Sequence, residues 1–306
     1  MLRTAGNDHR CGHRQRDPGD DVIVGSVGAD TIDSRGGNDL ICGLGGDDTV
    51  SDGIGNDKID GGAGNDRLIG DVFTETGVAK GGGNDWLLDG DDQIAGDSFA
   101  SDGNASGGGR DHIDGGPGGD LVSGDSVAIG GDVTGAGDDV IGGGPDRDAL
   151  IGDSAASGSA VGDGGDDLID LGPGGGFALG DHNIFDPQGG TAVGAGRDRI
   201  TGGSDADMLV GESSVADASP TSARSDVLTG RGGDDTLFGD NADFDLTTSV
   251  GTAGGDDLLF GGDGADTLKA GPRNDFLDGG SGAPDTCDGE TGIDIAIRCE
   301  SVHGIP

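Results

Sequence analysis

The sequence contains no tyrosine and one tryptophan, and aromatic residues make up 3% of its 306 positions. Hydrophobic residues reach only 31%. A chain this poor in large apolar side chains cannot fill an ordinary globular core, and by charge and hydropathy it should be disordered in plain water. It has no apolar run of the ~18 residues a spanning helix needs, so no membrane span is expected. Basic residues are scarce, with 17 Lys and Arg against 59 Asp and Glu and a formal net charge of −42. Nucleic acid and anionic lipid would be repelled, and the natural partners are cations. Cysteine occurs four times, at Cys11, Cys42, Cys287 and Cys299, too few for a disulfide scaffold. Residues 1–21 carry Arg and His but no apolar stretch, so they read as a flexible segment and not as a secretory signal. His9, Cys11 and His13 within it could hold a soft metal, but variable exposed residues are the simpler reading.

What the chain does have is glycine, 72 residues of it, and a period. From Gly25 it reads GSVGADTID, SRGGNDLIC, GLGGDDTVS, DGIGNDKID, GGAGNDRLI without a gap. Position four of each block is Gly: Gly28, Gly37, Gly46, Gly55 and Gly64. Position six is Asp: Asp30, Asp39, Asp48, Asp57 and Asp66. Position eight is aliphatic: Ile32, Ile41, Val50, Ile59 and Leu68. The sixth-position acids continue as Asp85, Asp111, Asp120, Asp139, Asp148, Asp167, Asp198, Asp207, Asp226, Asp235, Asp257, Asp266 and Asp275, each followed two residues later by Ile, Leu or Val.

The physical reading is a turn of six residues followed by a strand of three. Glycine lets the turn visit φ > 0 and lets backbones approach closely. In the strand, positions seven and nine face outward and position eight inward. Two nonapeptides make one coil of about 18 residues, and stacked coils give two thin parallel sheets. One aliphatic residue per nine cannot offset the entropy of ordering the turn, and the stacked carboxylates repel one another. A hard divalent cation would neutralise the acids and tie the turns together. Calcium accepts six to eight oxygens in flexible geometry, carboxylate and backbone carbonyl alike, whereas magnesium demands a tighter octahedron. Zinc would want the His or Cys that the repeats almost lack.

The pattern GGxGxDxUx, with U aliphatic, resembles the RTX, or hemolysin-type, calcium-binding nonapeptide, over nearly all of residues 22–294. The resemblance implies an all-β parallel β-roll with several calcium ions in its turns, bound by the sixth-position aspartates and turn carbonyls. Asp30 would share an ion with the turn of Asp48, Asp39 with that of Asp57, Asp48 with that of Asp66, and Asp257 with that of Asp275. Gly176 stands where an Asp is expected, and Asp146 and Asp205 stand at fourth-glycine positions, so those sites are expected to be weak or lost.

A longer period overlies the first. Gly-Asp recurs at Gly70, Gly96, Gly124, Gly152, Gly180 and Gly239, with Gly-Glu at Gly211, in steps of 26, 28, 28, 28, 31 and 28 residues. A spacer follows each, read as one short strand plus a surface loop. The chain thus divides into 1–21, uninterrupted repeat over 22–69, repeat with spacers over 70–251, and 252–306 with a C-terminal cap. Cys287 and Cys299 flank the end of the repeat, where a disulfide would close a cap and indicate an oxidising, extracellular setting. That arrangement resembles actinobacterial calcium-binding repeat proteins.

Gly-Asp-Ser recurs at Gly96, Gly124 and Gly152, a tripeptide some esterases use as nucleophile, but with no histidine partner its repetition reads as structural. His112 and His182 read as variable turn or spacer residues, and Trp86 as an exposed position seven. The expectation is a secreted calcium-binding repeat protein that folds on binding its ions and is not an enzyme. The alternatives are a calcium-dependent adhesin or structural protein that binds polysaccharide or cells, and an accessory region of a larger secreted enzyme.

Overall fold

A computed structural model describes residues 14–15, 18–88, 93–215 and 222–305. Among these residues every regular element is a strand, so no helix is long and apolar enough to cross a membrane. His9, Cys11 and His13 lie outside the described residues.

Each nonapeptide ends in a short strand whose middle residue points inward, as in Thr31–Asp33, where Ile32 is buried between two less buried neighbours. Successive strands alternate between a 12-stranded sheet, beginning at Val22–Val24, and a 13-stranded sheet, ending at Ser301–His303. All paired strands are parallel. Ile23 lies beside Ile41 and Ile41 beside Ile59 in one sheet, and Ile32 beside Val50 and Val50 beside Leu68 in the other. The period of 18 residues therefore closes one coil. The position-eight residues stack into a single aliphatic column, and each side chain fills the layer its neighbours leave open. At ~4.8 Å per strand the roll is about 60 Å long.

The spacers depart from expectation. Each of the early ones forms two strands, not one strand and a surface loop. They build a seven-stranded sheet from Phe73–Thr74 to Ala242–Asp243 and a five-stranded sheet from Gly77–Lys80 to Ala192–Val193. These two sheets face each other across a second interior of Ala79, Ala100, Ala105, Ala128, Ala156 and Ala160, with Val133 and Ile184. A search for large aliphatics passes over it because alanine lines most of it. The middle coils are thus 26 to 31 residues round, with a second lobe on one side, yet they stay in register: Leu87, Ile113, Ile141, Ile169 and Ile200 continue the column.

The lobe also changes what position nine does. In the narrow coils it is partly exposed, but where the lobe packs on the 13-stranded sheet Ile69, Ile151, Leu179, Val210 and Phe238 are buried. At the C-terminal end Cys287 takes an inward, fully buried position and is disulfide-bonded to Cys299, with Cα atoms 6.0 Å apart. Cys42 is half-buried and free.

Candidate metal centre

Two edges join the sheets. On the plain edge the chain turns directly from the 12-stranded to the 13-stranded sheet, and the sixth-position acids there are Asp30, Asp48, Asp66, Asp120, Asp148, Asp207, Asp235 and Asp266. On the other edge, the seam, the chain returns directly in narrow coils and by way of the lobe in wide ones. Asp39, Asp57, Asp85, Asp111, Asp139, Asp167, Asp198, Asp226, Asp257 and Asp275 stand there. All eighteen are buried.

One carboxylate oxygen of each acid does backbone work. The Asp30 amide donates to Asp48 Oδ1 (2.7 Å), Asp39 to Asp57 (2.7 Å) and Asp48 to Asp66 (2.6 Å). Along the seam the same bond runs from Asp57 to Asp85 (2.8 Å), Asp85 to Asp111 (2.7 Å), Asp111 to Asp139 (2.7 Å) and Asp139 to Asp167 (2.7 Å). It continues through Asp198, Asp226 and Asp257 to Asp275. The pairs that the resemblance implied are therefore neighbours, and the wide coils preserve the ladder.

In fourteen of the eighteen the other oxygen has no such use. Oδ2 is enclosed and without a hydrogen-bond partner in Asp39, Asp48, Asp57, Asp85, Asp111, Asp139, Asp148, Asp167, Asp198, Asp226, Asp235, Asp257, Asp266 and Asp275. A buried carboxylate left so is costly as an anion. Burial, with repulsion from Asp71 and Asp57, pushes Asp85 up to about 8. Burial with repulsion from Asp39 and Asp20 pushes Asp57 up to about 7, and Asp48 rises to about 6. Most of these Oδ2 atoms face a notch at a glycine that follows a strand. A β-carbon on Gly43 would collide with Asp48 Oδ2 and the Gly61 carbonyl, and one on Gly124 with Asp139 Oδ2 and the Gly152 carbonyl. Carboxylate and carbonyl oxygens thus converge on a space that a side chain would fill. This all-oxygen donor set suits calcium.

The family comparison agrees with this geometry. The RTX calcium-binding nonapeptide repeat matches residues 17–50, 43–73, 105–127, 192–213, 221–243, 252–284 and 260–296, together more than half of the chain. The chain belongs to the RTX calcium-binding nonapeptide repeat family. No curated protein matches it.

The RTX pattern is interrupted on the plain edge. At Gly176 there is no carboxylate, and the Gly176 amide donates to Asp207 Oδ1 (2.6 Å) while Gly203 donates to Asp207 Oδ2 (2.6 Å). Both oxygens of Asp207 are occupied there. Asp30 is likewise engaged, by the Ser26 amide. Asp146, at a fourth-glycine position, accepts from the Gly118 amide (3.1 Å).

Three acids the sequence pattern missed continue the ladders. Asp285 accepts from the Asp266 amide (2.9 Å), Asp294 from that of Asp275 (3.0 Å), and Glu300 from that of Asp285 (2.8 Å). Cys287 and Ala296 stand two residues after Asp285 and Asp294, where the pattern asks for a large aliphatic, and Glu300 itself stands where the pattern asks for Asp.

The Gly-Asp acids were missed altogether as site residues. Asp71, Asp97, Asp125, Asp153, Asp181, Glu212 and Asp240 form a second buried column along the seam. Asp97 accepts from the Gly83 amide (3.1 Å), Asp125 from Gly109 (3.2 Å), Asp181 from Gly196 (2.8 Å) and Asp240 from Gly255 (2.8 Å), closing each wide coil on itself. The residue after each acid builds a third ladder: the Ser98 amide donates to Ser126 Oγ (3.3 Å), Ser126 to Ser154 Oγ (3.2 Å), Ser154 to His182 Nδ1 (3.4 Å) and His182 to Ser213 Oγ (3.1 Å). His182 is thus a spacer residue, as expected, but one held in a ladder. It is fully buried, and burial lowers its basicity. His112, by contrast, sits on an outer strand face against Trp86, with ring centroids 4.2 Å apart.

Proposed function

We propose that this calcium-binding repeat protein holds many Ca²⁺ ions between successive turns, reaches its fold on binding them, and works outside the cell by binding and not by catalysis. The observation that carries the reading is the file of buried, unpartnered Oδ2 atoms along both edges, most of them beside a glycine notch and a carbonyl oxygen. Bound calcium supplies the positive charge these oxygens lack. The chain's own residues do the rest: the aspartates fix spacing through Oδ1, the glycines leave room, and the aliphatic column seals each layer. Ion-binding free energy then becomes folding free energy. The Cys287–Cys299 bond supports an oxidising compartment. Ser98, Ser126 and Ser154 are buried in a ladder, which supports a structural role and not a nucleophilic one.

Circular dichroism during calcium titration tests the reading. The expected result is a cooperative gain of β signal with calcium and little with magnesium, with several ions per chain by native mass spectrometry. An equal gain with magnesium, or none with calcium, would refute it.

A second reading, calcium-dependent adhesion to polysaccharide or cells, draws on the outer face of the 12-stranded sheet. Trp86 is 49% exposed there, with Lys58 Nζ 5.6 Å from its ring and His112 stacked beside it. Retention on polysaccharide matrices with calcium but not with chelator would favour it.

A further inference from the structure

In its wide coils the seam carries twice the acid that the nonapeptide pattern places there. Each wide coil contributes its sixth-position Asp and, after the strand of the 13-stranded sheet, the Gly-Asp acid. Asp71, Asp85 and Asp97 offer oxygens within 4.8 Å of one another, and so do Asp97, Asp111 and Asp125. Asp97 belongs to both groups. It is fully buried, its Oδ1 takes the Gly83 amide, and its Oδ2 has no hydrogen-bond partner. The same holds further along: Asp125, Asp181 and Asp240 keep a buried Oδ2, and Glu212 a buried Oε2, without a partner. At 211–212 the chain exchanges Asp for Glu but keeps the carboxylate, and the first oxygen still takes the backbone amide of Arg224.

The column also ends where the lobe ends. Its next position after Asp240 is Gly271 and the one before Asp71 is Gly53, both in narrow coils. Asp52, level with Gly70 and so outside this column, makes a separate group with Asp39 and Asp57 in the last narrow coil before the lobe. The acid therefore accompanies the lobe that encloses the seam. Packing alone would favour an uncharged residue in so enclosed a place, because a lone buried carboxylate is costly.

We propose that the Gly-Asp acids are divalent-cation ligands and that acids inside the column, Asp97 first among them, bridge two successive sites along the seam. One site is built from Asp71, Asp85 and Asp97, and the next from Asp97, Asp111 and Asp125. Each wide coil then brings two carboxylates, and a divalent ion per coil balances them. The plain edge, with one carboxylate per turn, has no such match. Shared ligands also couple neighbouring sites, so the seam fills cooperatively. This rests on the reading of the sixth-position acids as calcium ligands and extends it to a set of residues outside the nonapeptide.

The chain's composition supplies the probe. Trp86 is the single tryptophan, there is no tyrosine, and Trp86 directly follows Asp85. Terbium, a calcium mimic, bound at the first of these sites would be sensitised by Trp86. The full chain is titrated with Tb³⁺, and calcium per chain is counted by native mass spectrometry. The expected results are sensitised emission that Asp97→Asn strongly reduces, and two fewer calcium ions in that variant. Asp114→Asn, on the exposed outer face of the 12-stranded sheet, should leave the emission unchanged. Full emission and a full calcium count in folded Asp97→Asn would overturn the proposal. If Asp85→Asn abolishes emission while Asp97→Asn does not, the sixth-position reading stands and this one fails. If the wild-type chain gives no emission and binds no calcium, both fail. Asp240→Asn, at the end of the column, covers the case in which Asp97→Asn does not fold: one ion lost supports the proposal and none lost refutes it.

Discussion

At the scale of single residues, the two oxygens of an aspartate differ. Oδ1 accepts an amide from the coil before, which fixes the stacking distance, and in most of these acids Oδ2 is buried without a partner, the place the proposed function gives to a cation. Without the cation these acids must hold protons. Burial raises Asp71 and Asp240 to about 9, Asp85 and Asp257 to about 8, and Asp57, Asp97, Asp235 and Asp275 to about 7. A folded-state value above the unfolded one, ~3.9 for Asp, means the protonated form favours the fold. In chelator, that stabilisation is fully present below about pH 4 and is lost as pH rises through roughly 6 to 9. The calcium-free chain should therefore show β structure in acid and lose it toward pH 8 by circular dichroism, and calcium at pH 8 should restore it. β signal that grows with pH in chelator would contradict this. Leu68 is equally specific in its job: it is fully buried in the column, and Leu68→Ala should cost about 2–5 kcal/mol, read from denaturant unfolding in saturating calcium.

At the scale of the element, the turn is defined by what is missing from it. Gly124 has no side chain because Asp139 Oδ2 and the Gly152 carbonyl occupy its β-carbon direction. Gly124→Ala should raise the calcium concentration needed for folding and remove an ion from the native mass spectrum. Unchanged stoichiometry would show that the notch is not where an ion sits. The three-residue strand was legible in the sequence because Ile, Leu or Val at position eight is an unambiguous period. The lobe strands were not, because they are two to four residues long and are filled mainly by alanine, whose small size is what lets the two lobe sheets approach. The position-nine reversal at Ile69 and Phe238 was hidden for a related reason. Whether an outward residue is exposed depends on what another part of the chain lays over it.

At the scale of the whole molecule, the coils form one continuous ladder with a narrow start, a wide middle and a narrow end. Each coil contacts chiefly its neighbours, so stability spreads along the axis and the ends need closing. Cys287 and Cys299 close one end, across a sequence separation of 12. Reducing this bond should destabilise the last coils by about 3 kcal/mol at most. Hydrogen exchange should show earlier loss of protection at Leu277 than at Ile141. Uniform loss along the roll would argue against a local cap. Withdrawal of calcium at neutral pH should expand the whole chain, seen as a rise in radius of gyration, since its net charge of −42 then lacks counter-ions.

The sequence by itself determined the repeat, the inward column, the roll and the sixth-position acids, because each is a local property repeated at fixed spacing. Only the tertiary structure decided that the spacers enclose the seam, that the acids from Asp71 to Asp240 line up beside the nonapeptide acids, and that the serines after them form a ladder. Those residues lie 12 to 16 positions from the sites they complete, and at that distance the closure of the coil, not the period of the chain, sets who meets whom. The same closure explains why a Gly-Asp pair, unremarkable in a chain full of both, becomes a buried carboxylate with one oxygen still free.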